Sequence, residues 1–378
     1  MVYFPQFPAR TCPVPPRRRE VPSVTNRENY LSIARRRGYD YMPVNFSMCP
    51  SLKERYDAYV REHELKLPLG EASVRGLPAD CAPPEVFLER YYKDKNFKPG
   101  TFIDGWGVAH EPGSAAAYHM TYMHHPMEDF DSPEQILAYP FPVFRDALEE
   151  QKKHVEEIHR EDMAAVGQMQ VTIWETAWYM RGMENLMCDM MSEDPMAEVL
   201  LDRVTSTAVQ KAVSFARAGA DALFLGDDIG MQRTIMMSEG LYREWLMPRL
   251  KKVIDAARAI QPDILIFYHS CGHVTELIPS LIEAGVDVLN PVQPECMDFR
   301  EIHRRFGDAL SFHGTIGTQS VMPFGTPEEV RRKVFENLDI AGRQGGLYVC
   351  PTHLLEPEVP VENVVAYVQA CIDYTCAR

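Results

Sequence analysis

Ile264-Leu265-Ile266-Phe267-Tyr268-His269-Ser270-Cys271-Gly272 is an unbroken apolar run that ends in His-x-Cys-Gly. A continuous apolar run, as opposed to an alternating one, reads as a strand buried on both faces, as in a parallel sheet. The same form recurs at residues 165–173, 221–225, 286–289, 309–312 and 346–349. Helical patterns lie between most of these runs, at 238–260, 274–284 and 327–341. Repeated strand–helix units predict a parallel sheet. No Gly-x-Gly-x-x-Gly follows a strand, so a dinucleotide-binding fold has no support.

Each run is followed by residues able to do chemistry. They are Glu175, then Asp227 and Asp228, then His269, Ser270 and Cys271. Asn290 and Gln293 come next, then His313 and Thr315, and finally Cys350. Functional side chains at the C-terminal ends of successive strands are the pattern of a (β/α)8 TIM barrel. An open sheet would gather them near one switch point. The expected architecture is therefore an α/β chain with one barrel over 25–378. It carries a Pro/Arg-rich N-terminal arm over 1–24 and an insertion near the barrel mouth.

Upstream of the repeats, Thr25-Asn26-Arg27-Glu28 predicts a capped helix to about residue 37, and 41–45 a short strand. Residues 50–65 and 144–162 read as charged helices, 66–100 as irregular and 101–122 as strand and loop.

With 378 residues, 46% of them hydrophobic, the chain can bury a large core. A formal net charge of −15 argues against a nucleic-acid surface, which needs a basic face. There is no run of about 18 apolar residues and no signal-peptide core, so no membrane association is expected and the compartment is read as cytoplasmic. Nine cysteines without a regular framework favour free or metal-bound thiols over disulfides.

In an extended segment residues two apart point the same way, so His269 and Cys271 can reach one ion. Imidazole with thiolate suits zinc, and Cys350 ends a later strand of the same barrel. Three protein ligands and one open position would make a catalytic centre. The competing reading is that these are buried cysteines acting as small hydrophobes.

The segments His269-Ser-Cys271-Gly, Asn290-Pro-Val-Gln293 and Gly346-Leu-Tyr-Val-Cys350 resemble the uroporphyrinogen decarboxylase-like superfamily. Within it they are similar to the zinc-dependent, corrinoid-linked methyltransferases. Phe102-Ile-Asp104-Gly-Trp106-Gly, Met180-Arg-Gly-Met-Glu184 and Gly226-Asp-Asp228-Ile-Gly-Met-Gln232 extend the likeness, as does Thr25-Asn-Arg-Glu-Asn-Tyr. The resemblance implies zinc held by His269, Cys271 and Cys350. It also implies a corrinoid (cobalamin) carried on a separate protein, since the chain has no Asp-x-His-x-x-Gly segment. Homodimers are common among these relatives, so a homodimer is an open option.

Two departures stand out. The Arg-Gln-Ala-Gly-Arg segment that holds substrate carboxylates in true decarboxylases is missing. Where relatives place a fourth, carboxylate ligand, this chain has Gln293, leaving that position to Glu295 or a water.

Such a site implies methyl transfer from a small donor, an aryl methyl ether being one candidate, to the cob(I)alamin of a corrinoid protein. Asp228 and Glu175 are the candidate acids. Asp104, Trp106, Tyr122, Asn290, Gln293 and His313 are the candidate substrate contacts. The aromatic and methionine side chains Phe102, Tyr118, Met120, Met123, Trp174, Trp178 and Tyr179 suit an apolar donor, and equally an ordinary core. Other readings are methylcorrinoid transfer to a thiol or tetrahydrofolate, porphyrinogen decarboxylation, and a non-catalytic tetrapyrrole-binding barrel.

Overall fold

A computed structural model describes residues 24–64, 67–113 and 121–376. The N-terminal arm, Tyr118 and Met120 lie outside the described residues. Seven parallel strands pair in chain order: β1 (Glu71–Val74), β2 (Ala164–Gln170), β3 (Ala222–Gly226), β4 (Leu265–His269), β5 (Val288–Asn290), β6 (Ser311–His313) and β7 (Leu347–Tyr348). Six of them are the apolar runs. Their side chains, among them Ala165, Leu223, Ile266, Leu289, Phe312 and Leu347, are almost fully buried. Each large one contributes about 1.5–3 kcal/mol.

The sheet curls. Phe224 on β3 and His313 on β6 are three strands apart, yet their ring centroids are 5.9 Å apart. In a flat sheet three strand spacings would separate them by about 14 Å. Phe267 and Tyr348 fill the same interior, and Tyr30 closes it from helix Asn26–Ala34, 4.6 Å from Tyr348. That helix starts at Thr25 in a capping box, as expected. Its Arg27 forms an ion pair with Asp221 just ahead of β3, away from the C-terminal strand ends.

Four expectations need correction. No ladder joins β7 to β1 among the described residues, so seven strands are paired, not eight. The predicted strand at 41–45 is irregular, because Pro43 has no N–H to give a ladder; Val44 N donates instead to Pro68 O. The stretch read as irregular contains β1, which was too short at four residues for its alternation to show. The predicted 238–260 helix is two, Glu239–Trp245 and Met247–Arg258, with Pro248 in the first turn of the second.

Between β1 and β2 lies an antiparallel meander (Phe102–Ile103, Ala109–Pro112, Thr121–His124), and the segment after it, residues 125–130, packs on helix Trp174–Arg181. Buried Arg181 ties the two together. Its guanidinium pairs with Asp189 and donates to the carbonyls of Met127, Glu128 and Phe130.

Candidate metal centre

Strand register places Gln170, Gly226, His269 and Asn290 at one level. A Cβ at Gly226 would lie 2.5 Å from His269 Cβ and 2.7 Å from its carbonyl oxygen, so only glycine lets β3 pass β4 here. Gly272, at φ +84°, does the same for the loops that follow: a Cβ there would meet Gly230 and Met231 backbone at 2.7 Å. The two loops therefore dock. Ile229 N donates to Ser270 Oγ at 3.0 Å, His273 N to Met231 O at 2.7 Å, and Cys271 N to Asp228 Oδ1 at 2.7 Å.

Docking gathers Asp228, His269 and Cys271, whose donor atoms all lie within 4.8 Å of one another. His269 Nε2 is 3.5 Å from Cys271 Sγ and 3.5 Å from Asp228 Oδ1. Two donors bound to one zinc at tetrahedral angles sit about 3.5 Å apart, so the spacing fits that ion. Charge agrees. Burial, then Asp228 and Glu175, push the Cys271 thiol well above its ordinary range. A divalent cation reverses that balance by stabilising the thiolate.

His269 is oriented from behind. Asn290 Nδ2 donates to His313 Nδ1 at 2.6 Å and to His313 O at 3.0 Å, so its Oδ1 faces His269 and accepts from Nδ1–H at 2.6 Å. That leaves Nε2 of His269 for a metal. Asn290 and His313, expected as substrate contacts, are thus engaged with each other and, through Asn290, with His269. Gln293 is also structural: its Oε1 accepts from Gly272 N at 3.1 Å and holds the His269–Gly272 loop.

Cys350 Sγ lies 3.5 Å from His313 Nδ1 and is fully buried beside the group without entering it. Glu295 turns away, because Gln319 N and Ser320 Oγ donate to its Oε1. The carboxylate at the metal group is Asp228, expected only as a catalytic acid. Spacing could not show this, because the Asp228 loop and the Cys271 loop dock only where Gly226 and Gly272 let their backbones pass closely.

Glu175 stands behind Asp228. It accepts from Asp228 N at 3.1 Å and from Tyr179 O–H at 2.9 Å. Burial, then Asp228 and Asp227, raise its carboxyl to about 8. Asp227 has a different task, accepting from Ile173 N and Glu175 N, both at 3.0 Å, at the start of helix Trp174–Arg181.

The remaining expected contacts are elsewhere. Asp104 closes its own turn by accepting from Trp106 N and Val108 N, and pairs with His110 at 3.0 Å. Trp106 packs on Phe141 and lies near Lys211. Tyr122 is 63% exposed, on a groove of about 340 Å³ shared with Lys95, His125 and Trp178. None of the three is brought to the metal group.

The family model for uroporphyrinogen decarboxylase (URO-D) matches residues 108–374. The chain belongs to the URO-D family. Among curated URO-D relatives, the methylated-thiol–coenzyme M methyltransferase of Methanosarcina mazei is 27% identical over 237 residues, 61% of this chain and 58% of that protein. The uroporphyrinogen decarboxylase of Chlorobium luteolum is 24% identical over 185 residues, 48% of this chain and 50% of that one. The chain thus spans between half and three fifths of the length of these two relatives. A solved methyltransferase from Methanosarcina mazei superposes with a TM-score of 0.62 at 19% identity, covering 93% of this chain and 99% of that one. That likeness establishes the fold. The comparisons fit the methyltransferase branch of the URO-D family. No helix among the described residues is long and apolar enough to cross a membrane.

Proposed function

We propose that this URO-D family member is a zinc-dependent methyltransferase. It moves a methyl group from a small donor to the cob(I)alamin of a separate corrinoid protein. The observation that carries this reading is the convergence of Asp228, His269 and Cys271 donors within 4.8 Å, at the C-terminal ends of two adjacent strands. In this reading the converged donors Asp228, His269 and Cys271 hold the metal, and Cys350 joins them by moving off the His313 ring.

Zinc, when bound, supplies a Lewis acid that stabilises negative charge on the heteroatom losing its methyl group. The chain's own residues do the rest. Asp228 Oδ1 is fixed by Cys271 N, so carboxylate and thiol move as one unit. Glu175, protonated at neutral pH, donates a proton to a leaving alkoxide or phenolate oxygen, with Tyr179 O–H orienting its carboxyl. A thiolate leaving group would need no such proton, which is why an ether donor is favoured. The second reading is exchange with a thiol. It rests on the Methanosarcina relative, named for a methylated thiol.

The test is the zinc content of protein never exposed to chelator, in wild type, Cys271→Ser and Cys350→Ser. It is followed by incubation with reduced cobalamin and aryl methyl ethers or methyl thioethers. One zinc per wild-type chain, lost in the variants, together with methylation of cobalamin supports the reading. Metal-free, well-folded wild type would sink it and leave a decarboxylase or a tetrapyrrole-binding barrel.

A further inference from the structure

Lys211 is a cation without a counter-ion. It stands on helix Pro195–Ala218, in a recess between that helix, the meander turn at Trp106 and the end of β2. Its ammonium lies 4.9 Å from the centroid of the Phe144 ring and 6.0 Å from that of Trp106. Aromatic faces attract a cation but carry no net charge to balance it. Among the described residues no oxygen accepts from Lys211 Nζ and no carboxylate pairs with it. The chain has 54 acidic side chains, and none lines this recess. Burial lowers the Lys211 pKa below the ordinary lysine value, and no acid raises it back.

The walls define what would answer the charge. Met169, Val171, Val204 and Trp106 make much of the lining apolar, and three threonines supply hydroxyls. Thr172 O–H is spent on Met169 O at 2.6 Å and Thr176 O–H on Val171 O at 2.7 Å, so neither proton turns inward. Thr207 differs. Its O–H reaches Arg203 O at 3.4 Å, near the limit of a hydrogen bond, and is easily redirected. Thr207 and Lys211 are four residues apart on one helix, so they share a face. Two donors without good acceptors therefore border one space. Its free volume of about 10 Å³ takes one water-sized group.

We propose that this recess binds a small monovalent anionic group between Lys211 Nζ and Thr207 Oγ1. One cation matches one negative charge, whereas a dianion would leave a charge unpaired among apolar walls. Water could fill the space without balancing the ammonium. Two sources share the chemistry: a free halide such as chloride, or a carboxylate oxygen of a larger molecule whose body lies outside the recess. The site shares no residue with the metal group, and the inference does not rest on the zinc reading.

The experiment uses the full chain. A short pulse of an acetylating N-hydroxysuccinimide ester is read peptide by peptide by mass spectrometry. Sodium chloride, bromide, acetate and benzoate are compared at one ionic strength, set with sodium sulfate. With the anion at a few times its dissociation constant, mass action should slow acetylation of Lys211 by about 3-fold or more. Exposed Lys252 should react at an unchanged rate. Chloride NMR line broadening supplies a second readout. It should be lost in Lys211→Met, reduced in Thr207→Val and kept in Lys252→Met. Protection by halides alone assigns the site to a free ion; stronger protection by acetate and benzoate assigns it to the carboxylate of a larger ligand.

Protection by no monovalent anion beyond that given by sulfate would overturn the proposal and leave the ammonium held by its two rings alone. So would line broadening that persists in Lys211→Met. Undiminished broadening in Thr207→Val would overturn the role of Thr207. The acetylation readout needs no variant, so misfolding of Lys211→Met cannot mask the result. If Lys211 resists acetylation throughout, the line broadening decides.

Discussion

Cys271 donates its backbone N–H to Asp228 Oδ1 at 2.7 Å, across two loops 43 residues apart in the chain. This bond aligns the Asp228 carboxylate beside the Cys271 thiol and the His269 imidazole. It makes Asp228 a structural clasp and, in the proposed function, a metal donor at once. The two roles can be separated, because an amide oxygen keeps the clasp and loses the charge.

Asp228→Asn should therefore fold normally and bind zinc about 10- to 100-fold more weakly. Dye competition measures the affinity and thermal melting of metal-free protein the fold. Unchanged affinity would mean that Asp228 does not reach the metal.

Cys271→Ser and Cys350→Ser should each lower bound zinc from near one per chain to a small fraction of that, by metal analysis. The two cysteines sit differently: Cys271 is in the close donor group and Cys350 rests on the His313 ring. Retention of zinc in Cys350→Ser alone would leave Asp228 as the third protein ligand.

Glu175→Gln should cut methyl transfer to an oxygen-leaving donor by about 100-fold or more, the usual range for a lost acid. It should also stabilise the metal-free protein. The carboxyl is raised from 4.5 to about 8, so between those values the folded state binds more protons than the unfolded one. Its contribution is intact below pH 4.5 and is lost as pH rises through about 8. In chelator at pH 8 the variant should be more stable than wild type by on the order of 2 kcal/mol, with the gap nearly closed at pH 5. Denaturant titrations at the two pH values measure this, and an equal gap at both would show that Glu175 is not held protonated.

Gly226→Ala should destabilise the fold by about 1–3 kcal/mol, because the added methyl meets His269 Cβ at 2.5 Å and neither strand can retreat. Zinc binding should weaken with it, since His269 is what moves. A melting temperature equal to wild type would show that β3 and β4 are not so close.

Arg181→Met should cost about 3–5 kcal/mol, since it strands buried Asp189 and the carbonyls of Met127, Glu128 and Phe130. Limited proteolysis should then cut first within residues 125–130, whose anchor on helix Trp174–Arg181 is gone. Cleavage elsewhere would place the anchor in other contacts.

The sequence by itself determined the strands and the order of the chemistry along them. A strand buried on both faces must be a continuous apolar run, and six of the seven are plainly that. His269 and Cys271 could be paired because side chains two apart share a face. Their loop glycines, Gly226 and Gly272, are equally visible in the sequence, but what each one approaches is not. Only the tertiary structure decided that Asp228, not Glu295, completes the close donor group. It also decided that Asn290 and His313 orient His269, and that Asp104, Trp106 and Tyr122 belong to a meander away from it. The physical reason is common to all of these. Periodicity reports which face of its own element a residue occupies, whereas a donor's partner depends on how closely two backbones pass, and at this site two absent Cβ atoms set that distance.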